Sequence, residues 1–547
     1  MPKPRFFLSY LLVFLVCGVL APLTSRAQDA PSSTAAPTAA TIQDIAAQLR
    51  PVLVRLRVIE SSAEYGREQR SESYGSGALI SSEGYIVTNH HVAGNSRAIY
   101  VTLADRSEVE GKLIGTDPLS DLAIVKIEGG PFPTARWGDD KALRVGDPVL
   151  ALGSPHAISQ SVTAGIVSNL ELISFGLDAV TLDDEDTGSI VRWIAHDAAI
   201  YPGNSGGPLV NLRGEIVGIN EMEVGLSGAI PASLARPVVE DLIQKGSVTR
   251  AYTGLSLQPR LATSSAKSGV LVAGVLPNSP AQVAGIAPGD ILQSARWNGG
   301  ELALNATFAE ELPDINNRIG SWPVGAPVEI TLERGGQNQT VSLQPTVRPR
   351  AWAQGREMRG WDMTASDITT LAAIRQRLAD TRGVLVTGIL EGGAAATAEP
   401  PLQEEDIIVS LNRQPVADAA SLSRLSEKVP RSDEGTPVLV EVMRRGERIL
   451  AAARLNRAGI IDASAEVRKA WLPVSVQALT PSLAALLKLP AGAAGVRVTR
   501  LLASGTPLQN GDVIAAIDGV PVEVDAAENV EVFWAMLREY NVGATAK

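Results

Sequence analysis

The sequence predicts a mostly β chain: a large β domain first, then three copies of a smaller α+β unit. Three observations predict it. The stretch from Gly75 to Gly94 reads as a hairpin, with an apolar strand, a Ser-Glu-Gly turn and a second strand, Tyr85-Ile-Val-Thr88. The stretch Asp197-Ala-Ala-Ile-Tyr-Pro-Gly-Asn-Ser-Gly-Gly-Pro-Leu-Val-Asn211 is a glycine-rich loop that runs into strand-like segments at Leu209-Val210 and Gly214–Ile219. Beyond Arg250 one pattern, an apolar strand, a loop, Gly-Asp-Ile or a relative, and another strand, recurs about every 110 residues.

In chain order, Lys3 and Arg5 precede an apolar run from Phe6 to Leu20, and Ser25-Arg-Ala27 supplies small residues for cleavage, so 1–27 read as an export signal peptide. Left uncleaved it would be a membrane tether, though the run is short for a span of ~20 residues. Cys17 is the only cysteine and leaves with the signal; export of a chain without disulfides fits a Gram-negative periplasm. Residues 28–40, rich in Ala, Ser, Thr and Pro, read as a disordered tether. Thr41 opens a helical pattern (Ile42, Ile45, Ala46, Leu49), and Val52–Val58 is a first strand. Glu60 to Ser73 is polar and reads as a loop, the β structure runs to about Ile219, and Ser233–Lys245 is a helix ended by Gly246. The β domain thus spans 41–246. A length of 547 residues suits about three to five domains. The net charge of −11, without a Lys/Arg-rich patch, argues against nucleic-acid partners.

Ser205 is flanked by Gly203, Gly206 and Gly207, which permit backbone conformations that leave its hydroxyl free and let N–H groups converge on one point. A serine nucleophile needs a base, and histidine is the usual one. The four histidines are His90, His91, His156 and His196, and none follows Ser205. That excludes the α/β-hydrolase order Ser, Asp, His. The subtilisin order would need Asp29 or Asp44, both in a polar N-terminal segment. The order His, Asp, Ser of chymotrypsin-like double β-barrels remains. It points to His90-His91, adjacent residues of which an extended chain turns only one toward Ser205. It also points to Asp121, which opens the apolar run Leu122–Ile127. The plain alternatives are a structural histidine, a turn-capping aspartate and a turn with an incidental serine.

These three segments resemble the Deg/HtrA family of serine proteases over roughly Gly75 to Gly246. The family patterns Thr-Asn-x-His-Val, Asp-Leu-Ala-x-x-Lys-Ile and Gly-Asn-Ser-Gly-Gly-Pro-Leu imply His91 as base, Asp121 as orienting carboxylate and Ser205 as nucleophile. The resemblance further implies the backbone N–H groups of Gly203 and Ser205 as the oxyanion hole. Tyr201, His156-Ala157 and Gly228 depart from the family pattern, which leaves the preferred cleavage residue open; a small aliphatic residue is the family expectation. The acidic run Asp183-Asp-Glu-Asp186 falls in a segment matching the family's regulatory loop and reads as solvated.

The three repeats each resemble a PDZ domain, at 250–345, 356–456 and 466–547, with linkers near Pro345–Gly355 and Arg457–Glu466. PDZ domains bind by strand addition and catch a terminal carboxylate in a backbone loop. In the first repeat the matching residues are Tyr252, Thr253, Gly254 and Leu255, with core packing as the plain alternative for Tyr252. In the second, Asp362 would repel a carboxylate; in the third, Pro473 lacks an N–H. The first repeat is therefore expected to capture peptides. The third stops before the last strand pair of the others, so either it is incomplete or the chain is truncated.

The resemblance implies an exported serine endopeptidase acting on unfolded or misfolded proteins, with peptide C-termini as PDZ ligands and a homotrimer or a multiple of it as working unit. No cofactor is implied, and no metal, since histidines are few and no His-Glu-x-x-His motif occurs. The rival expectation is a PDZ-based peptide-binding chaperone or scaffold whose proteolysis is latent or minor.

Overall fold

The computed structural model describes residues 39–547 apart from 155–159, 174–180, 224–225, 262–265, 431, 433, 456–469, 471, 491–492, 503–506, 525 and 541–543. The expected signal peptide, His156, Ala157 and the linker near 457–466 lie outside the described residues. No helix among the described residues is long and apolar enough to cross a membrane.

Helix α1 (Ala39–Leu49) begins two residues before Thr41, within the segment expected as a tether, whose residues 28–38 lie outside the described residues; Ile45 and Leu49 anchor the helix on the protease core. The first barrel closes in the order β1-β2-β3-β6-β5-β4, from β1 (Leu53–Glu64), β2 (Arg67–Leu79), β3 (Tyr85–Thr88), β4 (Ser96–Thr102), β5 (Glu108–Asp117) and β6 (Leu122–Ile127). Five of the six β6 side chains are apolar and buried, as a strand lining a closed barrel requires, and Lys126 is half-buried. Residues Glu60–Ser73, expected as a loop, instead extend β1 and β2 into one long ribbon paired from Leu53↔Ala78 to Glu64↔Arg67. Cross-strand polar contacts hold this ribbon where no core does: Ser61 Oγ donates to Glu68 at 2.5 Å and Ser73 Oγ to Glu60 at 2.6 Å.

The second barrel uses β7 (Arg136–Trp137), β8 (Pro148–Gly153), β9 (Ser161–Leu172), β12 (Trp193–His196), β13 (Pro208–Asn211), β14 (Glu215–Glu223) and β15 (Ser227–Pro231). Its order is β13-β8-β9-β12-β15-β14, closed by β13–β14, with β7 added parallel to β14. It therefore runs past Ile219 to Pro231. Between the barrel strands lies a two-stranded ribbon, β10 (Thr181–Leu182) with β11 (Glu185–Asp186). Helix α3 (Ala232–Lys245) leaves the barrel and ends on Gly246 at φ +72°, a left-handed cap that suits glycine.

Three further sheets follow. The first has the order β17-β18-β19-β21-β22: β17 (Leu255–Gln258), β18 (Val270–Val275), β19 (Ile291–Trp297) with β20 (Gly300–Ala303) beside it, β21 (Val328–Arg334) and β22 (Gln337–Leu343). β16 (Ala251–Tyr252) pairs with β23 (Thr346–Val347), so part of the expected linker is strand. The second has the order β24-β25-β26-β27-β29-β30: β24 (Arg356–Met358), β25 (Met363–Asp367), β26 (Val384–Ile389), β27 (Ile407–Leu411) with β28 (Gln414–Pro415), β29 (Thr436–Arg444) and β30 (Glu447–Leu455). The third holds β31 (Val474–Ala478), β32 (Val496–Leu501) and β33 (Val513–Ile514). The recurring aspartate has a structural cause: Asp290 accepts two bonds from Arg334, both 2.6 Å, and Asp406 two from Arg444, both 2.7 Å. Such a fork-to-fork pair ties the strand carrying the arginine to the loop carrying the acid.

Candidate active site

The site lies where the two barrels meet. His90 and His91 are not extended; they open a single helical turn, α2 (His90–Ala93). Successive helical residues point about 100° apart rather than oppositely, and the two rings part accordingly. His91 Nδ1 lies 2.7 Å from Asp121 Oδ2, and the His91 N–H donates to Asp121 Oδ1 at 2.9 Å. His90 turns the other way, to Thr116 Oγ1 at 2.6 Å and Asp183 Oδ2 at 3.1 Å.

Asp121 is fully buried and sits at φ +52°, a left-handed conformation that aspartate tolerates better than most residues. Its carbonyl accepts from Asn89 Nδ2 at 2.9 Å and from the His90 N–H at 3.1 Å. Asn89 thus locks the start of α2 to the loop that carries the acid. For the His91 imidazole, burial pulls the pKa down, but the Asp121 charge and hydrogen bond together outweigh it and leave the pKa above 6.5.

The loop around Ser205 is built by close approach. Gly203 and Gly206 adopt φ +102° and +84°. A Cβ on Gly206 would lie 2.2 Å from Thr88 Oγ1, and one on Gly207 would lie 2.0 Å from the Leu152 carbonyl. Ser76 fastens the first barrel to this loop. Its Oγ donates to Gly203 O at 2.6 Å, its N–H donates to Ser205 O at 2.8 Å, and its Oγ accepts from the Ser154 N–H at 2.8 Å. Gly75 and Gly77 give way to Val92 and Ile86, so Gly75-Ser-Gly77 is a joint between barrels. Ser76 and Asn89 escaped the reading of the sequence as functional residues, although the flanking glycines and the Thr-Asn-His-His string held the signal.

Among the described residues the N–H groups of Gly203 and Ser205 have no hydrogen-bond acceptor. The Ser205 hydroxyl donates to the Glu221 carbonyl at 3.2 Å rather than to His91. Tyr201 stands exposed at the rim, 53% accessible.

Comparisons with known proteins give the same answer from sequence. Residues 75–219 match the trypsin-like peptidase domain and residues 370–439 the PDZ domain, so the PDZ match falls on the second repeat. A probable periplasmic serine endoprotease DegP-like from Ectopseudomonas mendocina (strain ymp) is 36% identical over 409 residues, 70% of this chain and 79% of that protein. A protein of the same name from Marinomonas sp. (strain MWYL1) is 36% identical over 395 residues, 69% of this chain and 78% of the relative. This chain belongs to the Deg/HtrA family of serine endoproteases. The solved HtrA-type protease AlgW with decapeptide is 28% identical, covering 56% of this chain and 99% of that one, with a TM-score of 0.48. The chain is a serine hydrolase of peptide bonds that carries a peptide-binding PDZ module.

The acidic run 183–186 is solvated only in part: Asp184 and Asp186 are exposed. Arg348 holds Glu185 at 2.6 Å, Arg375 donates to the Asp184 carbonyl at 3.0 Å, and Glu185 is buried. The run expected to be solvated is thus tied in part to the segments around the first and second repeats. Two of the four acids find partners elsewhere in the chain, Asp183 at His90 and Glu185 at Arg348, while Asp184 is held through its backbone carbonyl.

In the first repeat, Tyr252 packs inward with Ala351, Leu371 and Leu276, which favours its packing role. Thr253 is buried, and its Oγ1 accepts from the Leu255 N–H at 3.3 Å. Gly254 stands at φ +76°, and a Cβ there would lie 2.1 Å from Ser279 Cβ. Arg250 is turned away from this loop into a buried pair with Asp117. Among the described residues β17 is the first strand of its sheet and its outer edge is unpaired, whereas the corresponding edge of β25 is taken by β24.

Proposed function

We propose that His91, Asp121 and Ser205 form the catalytic triad and that the Gly203 and Ser205 N–H groups form the oxyanion hole. The carrying observation is the 2.7 Å contact of His91 Nδ1 with a buried aspartate. With Nδ1–H committed to Asp121, Nε2 is the free base. It takes the Ser205 proton as Oγ attacks the peptide carbonyl, and then gives it to the leaving amine. The oxyanion would meet two backbone donors, each worth roughly 2.7–4 kcal/mol of barrier. Water then attacks the acyl-enzyme with His91 again as base.

The substrates we propose are unfolded or misfolded exported proteins, met in the periplasm, the compartment in the relatives' names. We further propose three PDZ-like modules over 250–345, 356–456 and 466–547. The first captures peptide C-termini along β17, through Gly254 and the neighbouring backbone, because its edge is free. A homotrimer or a multiple of it is the proposed working unit. The bond from Ser205 Oγ to Glu221 O favours a resting state of low turnover, since the hydroxyl must rotate to reach His91.

The test compares the parent with Ser205→Ala on casein, a natively unfolded substrate. The parent should cleave it and the alanine form should not; equal turnover by both ends the proposal.

A further inference from the structure

Behind Asp121 stands a second carboxyl group that the triad does not use. Glu221, on β14, is 5% exposed, and its neighbour Asp121 is wholly buried. Trp193 Nε1 donates to Glu221 Oε2, whereas Oε1 has no hydrogen-bond partner. The Asp121 carboxylate lies within hydrogen-bond reach of the Glu221 carboxyl. Asp121 is itself only an acceptor, already serving His91 through both oxygens. Two ionised carboxylates in contact, out of water, do not coexist; one of them keeps a proton. His91 needs the charge on Asp121, so the proton belongs on Glu221.

We propose that Glu221 is a positioning residue that works as a neutral carboxylic acid, donating from Oε1–H to the Asp121 carboxylate and so fixing the group that orients His91. The stranded oxygen then has a partner, and the chain of bonds runs Trp193 to Glu221 to Asp121 to His91. Burial first, and the Asp121 charge second, hold the Glu221 carboxyl well above the usual carboxylate range. The same residue's carbonyl accepts the resting Ser205 hydroxyl, so Glu221 touches two of the three triad members.

The ionisable groups around it are few. Asp121 on the β5–β6 loop and His91 on α2 lie ahead of it, with Glu60 of β1 acting on His91 from further off. His196 on β12 borders its neighbour Asn220. β13 and β15 carry no ionisable side chain, and those of α3 (Arg236, Glu240, Asp241, Lys245) and of β7 (Arg136) lie at the surface.

This inference rests on the triad reading. Its test is kcat/KM on one peptide substrate across pH for the parent, Glu221→Gln and Glu221→Leu, with Ser205→Ala as the blank. The parent should lose activity on the alkaline side as Glu221 ionises and ceases to donate. Glu221→Gln, which keeps a neutral donor at the same place, should stay close to the parent at neutrality and lack that alkaline fall. Glu221→Leu should lose about 10- to 100-fold, the worth of a hydrogen bond to a charged group. A fall that persists unchanged in Glu221→Gln, or a Glu221→Leu protein equal to the parent at every pH, overturns the inference. An active Ser205→Ala protein would instead remove the triad itself. The ¹³C shift of the Glu221 carboxyl in the unmutated protein reads the same point: protonated at neutral pH supports it, ionised refutes it.

Discussion

At the scale of single residues, pH separates the roles. His91 acts as a base only when neutral, and its pKa lies above 6.5. We therefore predict that kcat/KM falls as pH drops through a value above 6.5, and an acid limb below 6 would contradict the assignment. Asp121→Asn should cost on the order of 10⁴ in turnover by setting the wrong His91 tautomer; near-parental activity would mean another group orients the ring. His196 and Glu221 act oppositely on stability. His196 is buried, and burial lowers its pKa to about 4 against weaker support from the Ala198 backbone and Asn220. It contributes stability above about 6.5, lost as pH falls toward about 4. Glu221, with a raised pKa, contributes stability at low pH that is lost as pH rises. Where both groups titrate, the two slopes oppose each other. Glu221→Gln should uncover the His196 slope, so that the variant loses stability relative to the parent on acidification toward about 4.5, by at most roughly 1.4 kcal/mol per pH unit. Identical pH slopes for parent and variant would refute it.

At the scale of elements, the loop 203–207 holds its shape because no side chain fits at Gly206 or Gly207. Gly206→Ala meets Thr88 and adopts a left-handed conformation that costs roughly 1–2 kcal/mol. It should lower kcat on the order of 10²-fold by moving the oxyanion donors; an unaffected kcat would show that the loop tolerates the shift. Much of this site was legible beforehand, because Thr-Asn-His-His, the aspartate before Leu122 and the glycine-flanked serine are local strings with chemical content. What escaped is what has no local period. The 60–73 ribbon alternates polar residues on both faces, so nothing in its hydrophobicity marks a strand; pairing with its own partner and contact with the second repeat hold it, with the Glu68 N–H donating to Glu357 at 3.2 Å. Glu221 was equally silent, since one of three glutamates in a strand gives no motif until the fold brings Asp121 beside it.

At the scale of the whole molecule, charged pairs join the protease barrels to the repeats. Arg250, at the entry to the first repeat, pairs with Asp117, both nearly buried, on the strand that leads to Asp121. Removing one member of such a pair strands the other, so Arg250→Ala should destabilise by about 3–5 kcal/mol. Adding Asp117→Asn should recover part of that loss, and independent, additive effects would deny the coupling. Arg348 with Glu185 and Arg375 with the Asp184 carbonyl make the β10–β11 ribbon a second joint, on the far side of His90. The edge strand β17 and the bond from Ser205 to Glu221 are thereby parts of one connected body.

The most direct measurement of the central claim is covalent capture. A fluorophosphonate that reacts with activated serines is added to the active protein, and the digest is read by mass spectrometry. The account predicts a single adduct on Ser205 that abolishes cleavage and disappears in His91→Ala. Full inactivation with the adduct on another residue, or continued cleavage by protein fully labelled at Ser205, would contradict it.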